Sequence, residues 1–150
     1  MKRNWESVAT FFFRELSSFE ALVSSSDSLK LVLPDKFISG EFEIKGSKRN
    51  IKLISLGKGH TESDLILYLP KENIVFSGDL LFINHHPWIG DGDINSWRIC
   101  LDKIQNFKPK IIVPGHGPVG GVTDLDSLRL YFNSLESLAK KYKDEKKNPA

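Results

Sequence analysis

The chain has 150 residues, which is enough for one domain with a hydrophobic core. Its apolar fraction of 40% and net charge of +2 are ordinary, and they give no electrostatic reason to expect nucleic acid as a partner. The single cysteine, Cys100, excludes an internal disulfide and a cysteine-based zinc cluster.

The chain is predicted to begin with a leading helix and loop, over residues 1–32. Between about residues 4 and 23, apolar side chains recur at helical spacing; they are Trp5, Val8, Phe12, Leu16, Phe19 and Leu22. Arg14 and Glu15 interrupt the apolar stretch that follows the basic start, so we predict no signal peptide. No segment reaches the about 20 apolar residues that a membrane helix needs. We therefore expect a cytoplasmic protein that contacts no membrane.

Four strands are predicted to follow, because apolar residues alternate or run together between turn signals. A turn at Gly46-Ser47 separates the first two strands, and the fourth strand stops at Gly78-Asp79. The predicted strands contain Phe42 with Ile44, Ile51 with Leu53, residues 64–69, and residues 74–76. The segment 80–93 fits no regular element.

Two helices and one more strand are predicted in the second half. Asp93 or Asn95 lies near the N-cap of the first helix, and Thr123 caps the last. The buried faces are predicted to hold Trp97, Cys100, Leu101, Ile104 and Phe107 in the first helix, and Leu125, Leu128, Phe132, Leu135 and Leu138 in the last. A short strand over 110–113, a glycine-rich loop over 114–121 and a charged tail over 140–150 complete the chain. This order predicts a single α/β domain over 1–150, of the α+β kind, with a mixed sheet.

Three polar side chains each follow a predicted strand, at His60, Asp79 and His116. Loops at strand ends gather at one edge of a sheet, where side chains converge. Imidazole and carboxylate are ligands that Zn²⁺ and Fe²⁺ accept. A carboxylate has two oxygens, so it bridges two metal ions about 3.5–4 Å apart in many hydrolases. The pattern therefore predicts a metal site.

Four motifs carry a family resemblance: Gly59-His60-Thr61, Tyr68-Leu69-Pro70, Phe76 to Phe82 and Val113 to Pro118. Together they resemble the C-terminal half of the metallo-β-lactamase fold superfamily. That superfamily includes thiolesterases, lactonases and other metal-dependent hydrolases. The resemblance covers about Leu33 to the end of the last helix, and it implies part of an αββα sandwich.

The resemblance also implies roles for the three polar residues. His60 is similar to the third histidine on the first metal, and His116 to the histidine on the second metal. Asp79 is similar to the aspartate that bridges both metals and orients the nucleophile, which makes it the catalytic residue. A complete site would hold two ions, Zn²⁺ or else Fe²⁺ or Mn²⁺, and would hydrolyse an ester, a thioester, a lactone or a phosphoester.

One signature of the family is missing from the chain. Members carry a His-x-His-x-Asp-His motif upstream, whereas the other histidines here are His85 and His86, downstream of His60. We therefore expect a truncated chain that is inactive by itself, with apolar surface left for self-association or for a complementary N-terminal-half chain. Two hypotheses stay open: a metallo-hydrolase completed from elsewhere, and an inactive remnant or interaction domain.

Two further interpretations concern the segment between the predicted ligands. Residues 86–93 resemble a loop beside the substrate entrance of some family members, and His85 and His86 are candidate substitute ligands. The second interpretation is a calcium-binding loop; its acidic and amide positions are Asp91, Asp93, Asn95 and Asp102. Ser96 stands where such a loop requires glycine, which argues against calcium.

Overall fold

The structure is a computed structural model that describes residue 33 and residues 36–147, without the side chains of 146 and 147. The chain divides into two units, Met1–Phe37 and Ile38–Ala150, and the second contains all the strands and helices described. The predicted leading helix lies outside the described residues. That the whole chain forms one domain stays a prediction.

Five strands form one mixed sheet in the order β1-β2-β3-β4-β5. Their bounds are Glu41–Lys45 for β1, Asn50–Gly57 for β2, Asp64–Leu69 for β3, Ile74–Phe82 for β4 and Ile111–His116 for β5. The first four strands pair antiparallel, and β5 lies parallel to β4 at the edge. The mixed sheet predicted from the sequence is confirmed.

The end of β4 differs from the prediction. The strand does not stop at Gly78-Asp79 but continues to Phe82, so Asp79 lies within a strand rather than in a loop. Gly78 adopts a left-handed φ of 54°, and the register with β5 shifts on both sides of it. Glycine tolerates this conformation, so here it marks an irregularity within the strand and not its end. β5 likewise includes His116 and the first part of the predicted loop 114–121.

Two helices pack on one face of the sheet: α1, Ile94–Asn106, and α2, Val122–Lys147. Asp93 is the N-cap of α1, and its carboxylate accepts a hydrogen bond from the Ser96 amide at 2.7 Å. Hydrogen bonding to the side chain of Ser96, and then to its backbone amide, lowers the pKa of Asp93. Thr123 does not cap α2, which begins one residue earlier. Instead the Asp124 carboxylate accepts the Gly121 N–H at 2.8 Å.

The core lies between this sheet face and the two helices. Its fully buried members include Ile66, Val75, Trp97, Leu101, Ile104, Ile112, Leu125 and Phe132. Arg98 of α1 donates to Glu136 of α2 at 2.8 Å, and this ion pair lowers the pKa of Glu136. Leu138 was predicted to face inward but is 52% exposed. Residues 136–145 are all exposed, so α2 extends beyond the core from about residue 136.

The other face of the sheet is also apolar. A cross-strand row on it consists of Phe42, Leu53, Leu67, Phe76 and Val113, each paired with the next. On this face Ile44 is 43% exposed, Leu65 41%, Phe76 39% and Ile111 38%. A contiguous apolar patch of this kind is typical of a surface that contacts a further layer of structure.

Candidate functional site

Asp79 and His116 meet at one end of the sheet because β4 and β5 run parallel side by side. The His116 Nε2 atom lies 3.5 Å from Asp79 Oδ1, and both side chains are about half exposed, at 53% and 43%. Gly115 precedes His116, and its missing side chain leaves the space that the Asp79 carboxylate occupies. An acidic oxygen thus faces an imidazole nitrogen at a surface open to solvent.

His60 lies in the loop between β2 and β3, which a compact set of hydrogen bonds holds. The Asp64 carboxylate accepts from the Thr61 backbone at 3.1 Å and from the Thr61 hydroxyl at 2.9 Å. A Cβ atom at Gly59 would come within 2.7 Å of Leu80 Cδ2 and 2.9 Å of Asp64 Oδ2, so a glycine here leaves room for these two side chains. These contacts shape the loop that carries His60.

Cys100 of α1 forms a hydrogen bond with the same loop. Its buried sulfur donates to the Lys58 carbonyl at 3.3 Å, and burial raises the pKa of its thiol. A thiol with a raised pKa is a poor nucleophile at neutral pH. Cys100 is therefore a structural residue and not part of a reactive pair.

Aromatic rings surround the two histidines. The Phe82 ring stacks on His116 with centroids 4.8 Å apart, and its centroid lies 5.8 Å from that of His60. The Trp97 ring meets His60 edge-on at 5.2 Å. Among these contacts the His60 Nε2 atom is buried without a hydrogen-bond partner in the described chain. An unpaired buried nitrogen is costly, so it points to a ligand that the described residues do not supply.

His85 and His86 lie in the loop after β4, and they have different neighbours. His85 Nδ1 lies 2.9 Å from the Ile83 carbonyl, and its ring centroid is 6.3 Å from that of His116. His86 Nδ1 instead lies 3.3 Å from the Tyr131 hydroxyl on α2. A cavity of about 260 Å³ opens between this loop and α2. His85 thus borders the Asp79–His116 pair, whereas His86 borders the helix.

Imidazole nitrogens and a carboxylate oxygen are suitable ligands for a metal ion, but these side chains do not lie close enough together to share one. Within the part of the chain that the structure describes, no group of three or more His, Cys, Asp or Glu side chains lies close enough to hold a metal ion. A catalytic zinc site generally has three protein ligands. These residues therefore do not form a complete metal centre by themselves. The calcium interpretation also fails, because Asp93 caps α1 and Asp102 pairs with Arg129 at 2.7 Å.

Two residues of this site were missed by sequence reasoning. Phe82 contacts both imidazoles. It ends the Phe76 to Phe82 motif but was given no role, because its contact with His116 depends on the parallel pairing of β4 with β5. Asp64 fixes the His60 loop, and the spacing Thr61-x-x-Asp64 is the signal that was available for it.

Among the described residues, no helix has the length and apolarity needed to cross a lipid bilayer.

Comparison with known proteins gives one family. Residues 9–116 match the sequence model of the metallo-beta-lactamase superfamily. The match begins earlier than the predicted start at Leu33 and includes most of the predicted leading helix. It ends at His116, so it contains all three predicted ligands.

Individual relatives agree with the family match. The metallo-beta-lactamase type 2 of Bacteroides fragilis is 36% identical over 91 residues, 57% of this chain and 36% of the relative. The beta-lactamase-like protein 2 homolog of Caenorhabditis elegans is 32% identical over 88 residues, 55% of this chain and 27% of the relative. The chain thus spans about a third of the length of these relatives.

Solved structures show the same likeness in three dimensions. The metallo-beta-lactamase from Pontibacter korlensis superposes with a TM-score of 0.57 at 27% identity, covering 69% of this chain and 50% of that structure. The likeness supports the α+β class and the part-of-a-sandwich architecture predicted from the sequence. Because the family match spans well over half of the 150 residues, this chain belongs to the metallo-beta-lactamase superfamily.

Proposed function

We propose that this chain is the portion of a metal-dependent hydrolase that contributes His60, Asp79 and His116 to a two-metal centre. The observation that carries the proposal is the arrangement of nitrogen and oxygen donors at one end of the sheet. Asp79 faces His116 at 3.5 Å, and the buried His60 Nε2 has no partner among the described residues. The remaining ligands are those of the His-x-His-x-Asp-His signature, which these 150 residues do not contain.

The substrate of the completed enzyme is a small molecule with a carbonyl or phosphoryl centre that water attacks. Family resemblance favours an ester, thioester or lactone, and the names of several relatives add a cyclic amide, the β-lactam. Zn²⁺ is the first candidate metal, with Fe²⁺ and Mn²⁺ as alternatives, because imidazole and carboxylate ligands accept all three. Asp79 is the proposed catalytic residue.

Replacing His116 with alanine is expected to lower zinc affinity by more than about 100-fold, because losing even a group that only orients a ligand costs 10–100-fold. Isothermal titration of Zn²⁺ into the chain bound to a protein segment that carries the His-x-His-x-Asp-His signature measures this, beside Asp79→Ala as a second ligand variant. Asp91→Ala removes an exposed carboxylate of the neighbouring loop and serves as the control. Equal affinity for the unchanged chain and His116→Ala would contradict the proposed role of His116.

An inactive domain is the second candidate function, and one observation favours it for the chain by itself. No three-ligand group exists among the described side chains, so the chain alone, supplied with zinc, should not hydrolyse an ester, a thioester, a lactone, a phosphoester or a β-lactam. Sustained, metal-dependent turnover by the purified 150-residue protein would contradict this second candidate. It would also mean that the signature is dispensable.

The partner in this proposal is a protein segment that carries the missing signature on a second β-sheet. The outer sheet face, defined by the row Phe42, Leu53, Leu67, Phe76 and Val113, is where such a sheet packs. The match covers about half of the Pontibacter korlensis structure. The other half of that structure would correspond to the layer that packs on this face. Sheets packed face to face stand about 10 Å apart, with apolar side chains between them.

Phe76→Glu is expected to prevent this association, because it places a charge in the middle of the outer face, where Phe76 is 39% exposed. Sedimentation velocity measures the association of each variant with a partner. The partner is the part of the Bacteroides fragilis relative that this chain does not match. Leu130→Glu on α2, at a position 64% exposed, is the matched control and should leave association unchanged. If the unchanged chain is a dimer by itself and Phe76→Glu makes it a monomer, then a second copy of the chain binds the outer face.

A further inference from the structure

The cavity between the loop that follows β4 and the first turns of α2, called the loop cavity below, has a volume of about 260 Å³. Pockets that enclose drug-sized ligands measure about 300–1,000 Å³, so the loop cavity suits one small group of a larger molecule. Phe82 lines the cavity and also stacks on His116, with ring centroids 4.8 Å apart. A group bound in the cavity therefore lies next to the candidate site.

The charges that line the loop cavity favour one sign of ligand. Among its described lining residues, Asp124 carries the one carboxylate, and none is a lysine or an arginine. Asp124 Oδ2 accepts the Gly121 N–H at 2.8 Å, which holds the carboxylate at the start of α2. Arg129 of the same helix pairs with Asp102 and Asp126 instead. An anionic group would therefore meet a carboxylate in the cavity, whereas a cation would be attracted to it.

Aromatic rings line the same cavity, from Phe82, His85, His86 and Tyr131. The Tyr131 hydroxyl lies 3.3 Å from His86 Nδ1, and the two ring centroids are 5.7 Å apart, so the loop and α2 meet at this contact. The face of an aromatic ring carries partial negative charge and attracts a cation within about 6 Å of its centroid. Several rings beside a carboxylate are typical of sites that bind organic ammonium groups.

We propose that the loop cavity binds a small organic ammonium group, held by the Asp124 carboxylate and by the rings of Phe82 and Tyr131. The inference rests on the proposed function in one respect: because Phe82 lies against His116, the bound group is part of the substrate. The substrate of the completed enzyme is then an ester, a thioester or a lactone that carries a cationic group beside the bond that water attacks. A substrate with a carboxylate at that place is disfavoured.

Choline tests the loop cavity beside its neutral analogue, in which a tert-butyl group replaces the trimethylammonium group, because the two molecules share one shape and differ in charge. Binding to the purified full chain is followed by the ring resonances of His86 and Tyr131, at a mildly alkaline pH where an imidazole group is ordinarily uncharged. Choline is expected to bind at least about fivefold more tightly than the neutral analogue, as for an ammonium group over aromatic faces. Pivalate, an anion with the same tert-butyl group, should bind more weakly than either.

Asp124→Asn removes the charge and keeps an oxygen that can accept the Gly121 N–H. It is expected to lower choline affinity at least about threefold and to leave the affinity for the neutral analogue unchanged. Asp126→Asn on the same helix is the matched control, because Asp126 does not line the cavity and pairs with Arg129. Tyr131→Leu removes a ring and should weaken choline binding as Asp124→Asn does, whereas Tyr131→Phe keeps the ring and should retain the affinity.

The outcomes separate this inference from the proposed function. Equal affinities for choline and its neutral analogue overturn the ammonium site, and so does a failure of the unchanged chain to bind choline. Equal losses in Asp124→Asn and Asp126→Asn overturn it too, because they report the charge of the whole helix surface. None of these results bears on the proposed function, which is decided by the zinc affinity of the complex with the signature-bearing partner.

Discussion

Replacing Trp97 with alanine is expected to reduce the free energy of unfolding by about 3–5 kcal/mol, the range for removing a large aromatic side chain from a core. Trp97 is fully buried, and its ring packs against Phe132 with centroids 5.1 Å apart. Its indole N–H also donates to the Leu80 carbonyl at 2.9 Å. The substitution thus creates a cavity and leaves a buried acceptor unpaired.

Trp88 offers a matched control of the same residue type. Trp88 is 67% exposed and its indole N–H donates to the exposed Asp91 carboxylate at 3.0 Å. Trp88→Ala should therefore change stability by no more than about 0.5 kcal/mol. Urea unfolding followed by far-ultraviolet circular dichroism measures both variants without relying on tryptophan fluorescence. Similar losses in the two variants would contradict the placement of Trp97 in the core.

Trp97 also connects the core to the site, because its ring meets His60 at 5.2 Å. α1, which carries Trp97, was predicted from the sequence with its N-cap and buried face. Those features are local: Asp93 begins the helix, and Trp97, Cys100, Leu101 and Ile104 follow at helical spacing. Local spacing predicted α1 well because every residue that defines it lies within about four turns.

The last strands were harder to predict, because their pairing is not local. β4 reaches β5 across the whole of α1, and the parallel pairing extends β4 past Gly78 to Phe82. In the sequence, Gly78-Asp79 has the composition of a turn. Only the neighbouring strand shows that the glycine is an irregularity inside a strand, and this is why Asp79 was placed in a loop.

The candidate site was predicted in its residue types and only partly in its geometry. The order of motifs pointed to His60, Asp79 and His116, and the strands do bring Asp79 to His116. The position of His60 depends on Phe82 and Trp97, two rings from other elements. Contacts of that kind leave no pattern in a single sequence. The ligand roles of all three residues stay predictions until metal binding is measured.

Replacing Gly115 with alanine is expected to disrupt the Asp79–His116 pair and to cost about 1–3 kcal/mol of stability, as overpacking does. A Cβ atom at this position would overlap Asp79 Oδ1 and lie 2.8 Å from the Gly78 carbonyl carbon and 2.9 Å from the Asp79 nitrogen. A carboxylate can turn away, but two backbone atoms cannot move without shifting β4 against β5. Zinc affinity should fall by at least about 10-fold, because the pair loses its alignment.

Gly121 is the control, because a Cβ atom there meets nothing within 4 Å and its φ is not in the left-handed region. Gly121→Ala should leave zinc affinity unchanged and keep or slightly raise stability, since alanine restricts the unfolded chain. Urea unfolding and zinc titration of both variants measure the contrast. A Gly115→Ala protein as stable as Gly121→Ala would contradict the close approach of β5 to Asp79.

A double-mutant cycle with Asp79→Ala separates the two parts of the Gly115 effect. If the overlap with the carboxylate dominates, Gly115→Ala should cost clearly less stability in the Asp79→Ala background than alone, a coupling of about 0.5–3 kcal/mol between contacting residues. If the backbone contacts with Gly78 and Asp79 dominate, the two costs should add. The first result would mean that Gly115 is glycine to make room for a functional carboxylate, and the second that it is glycine to let two strands meet.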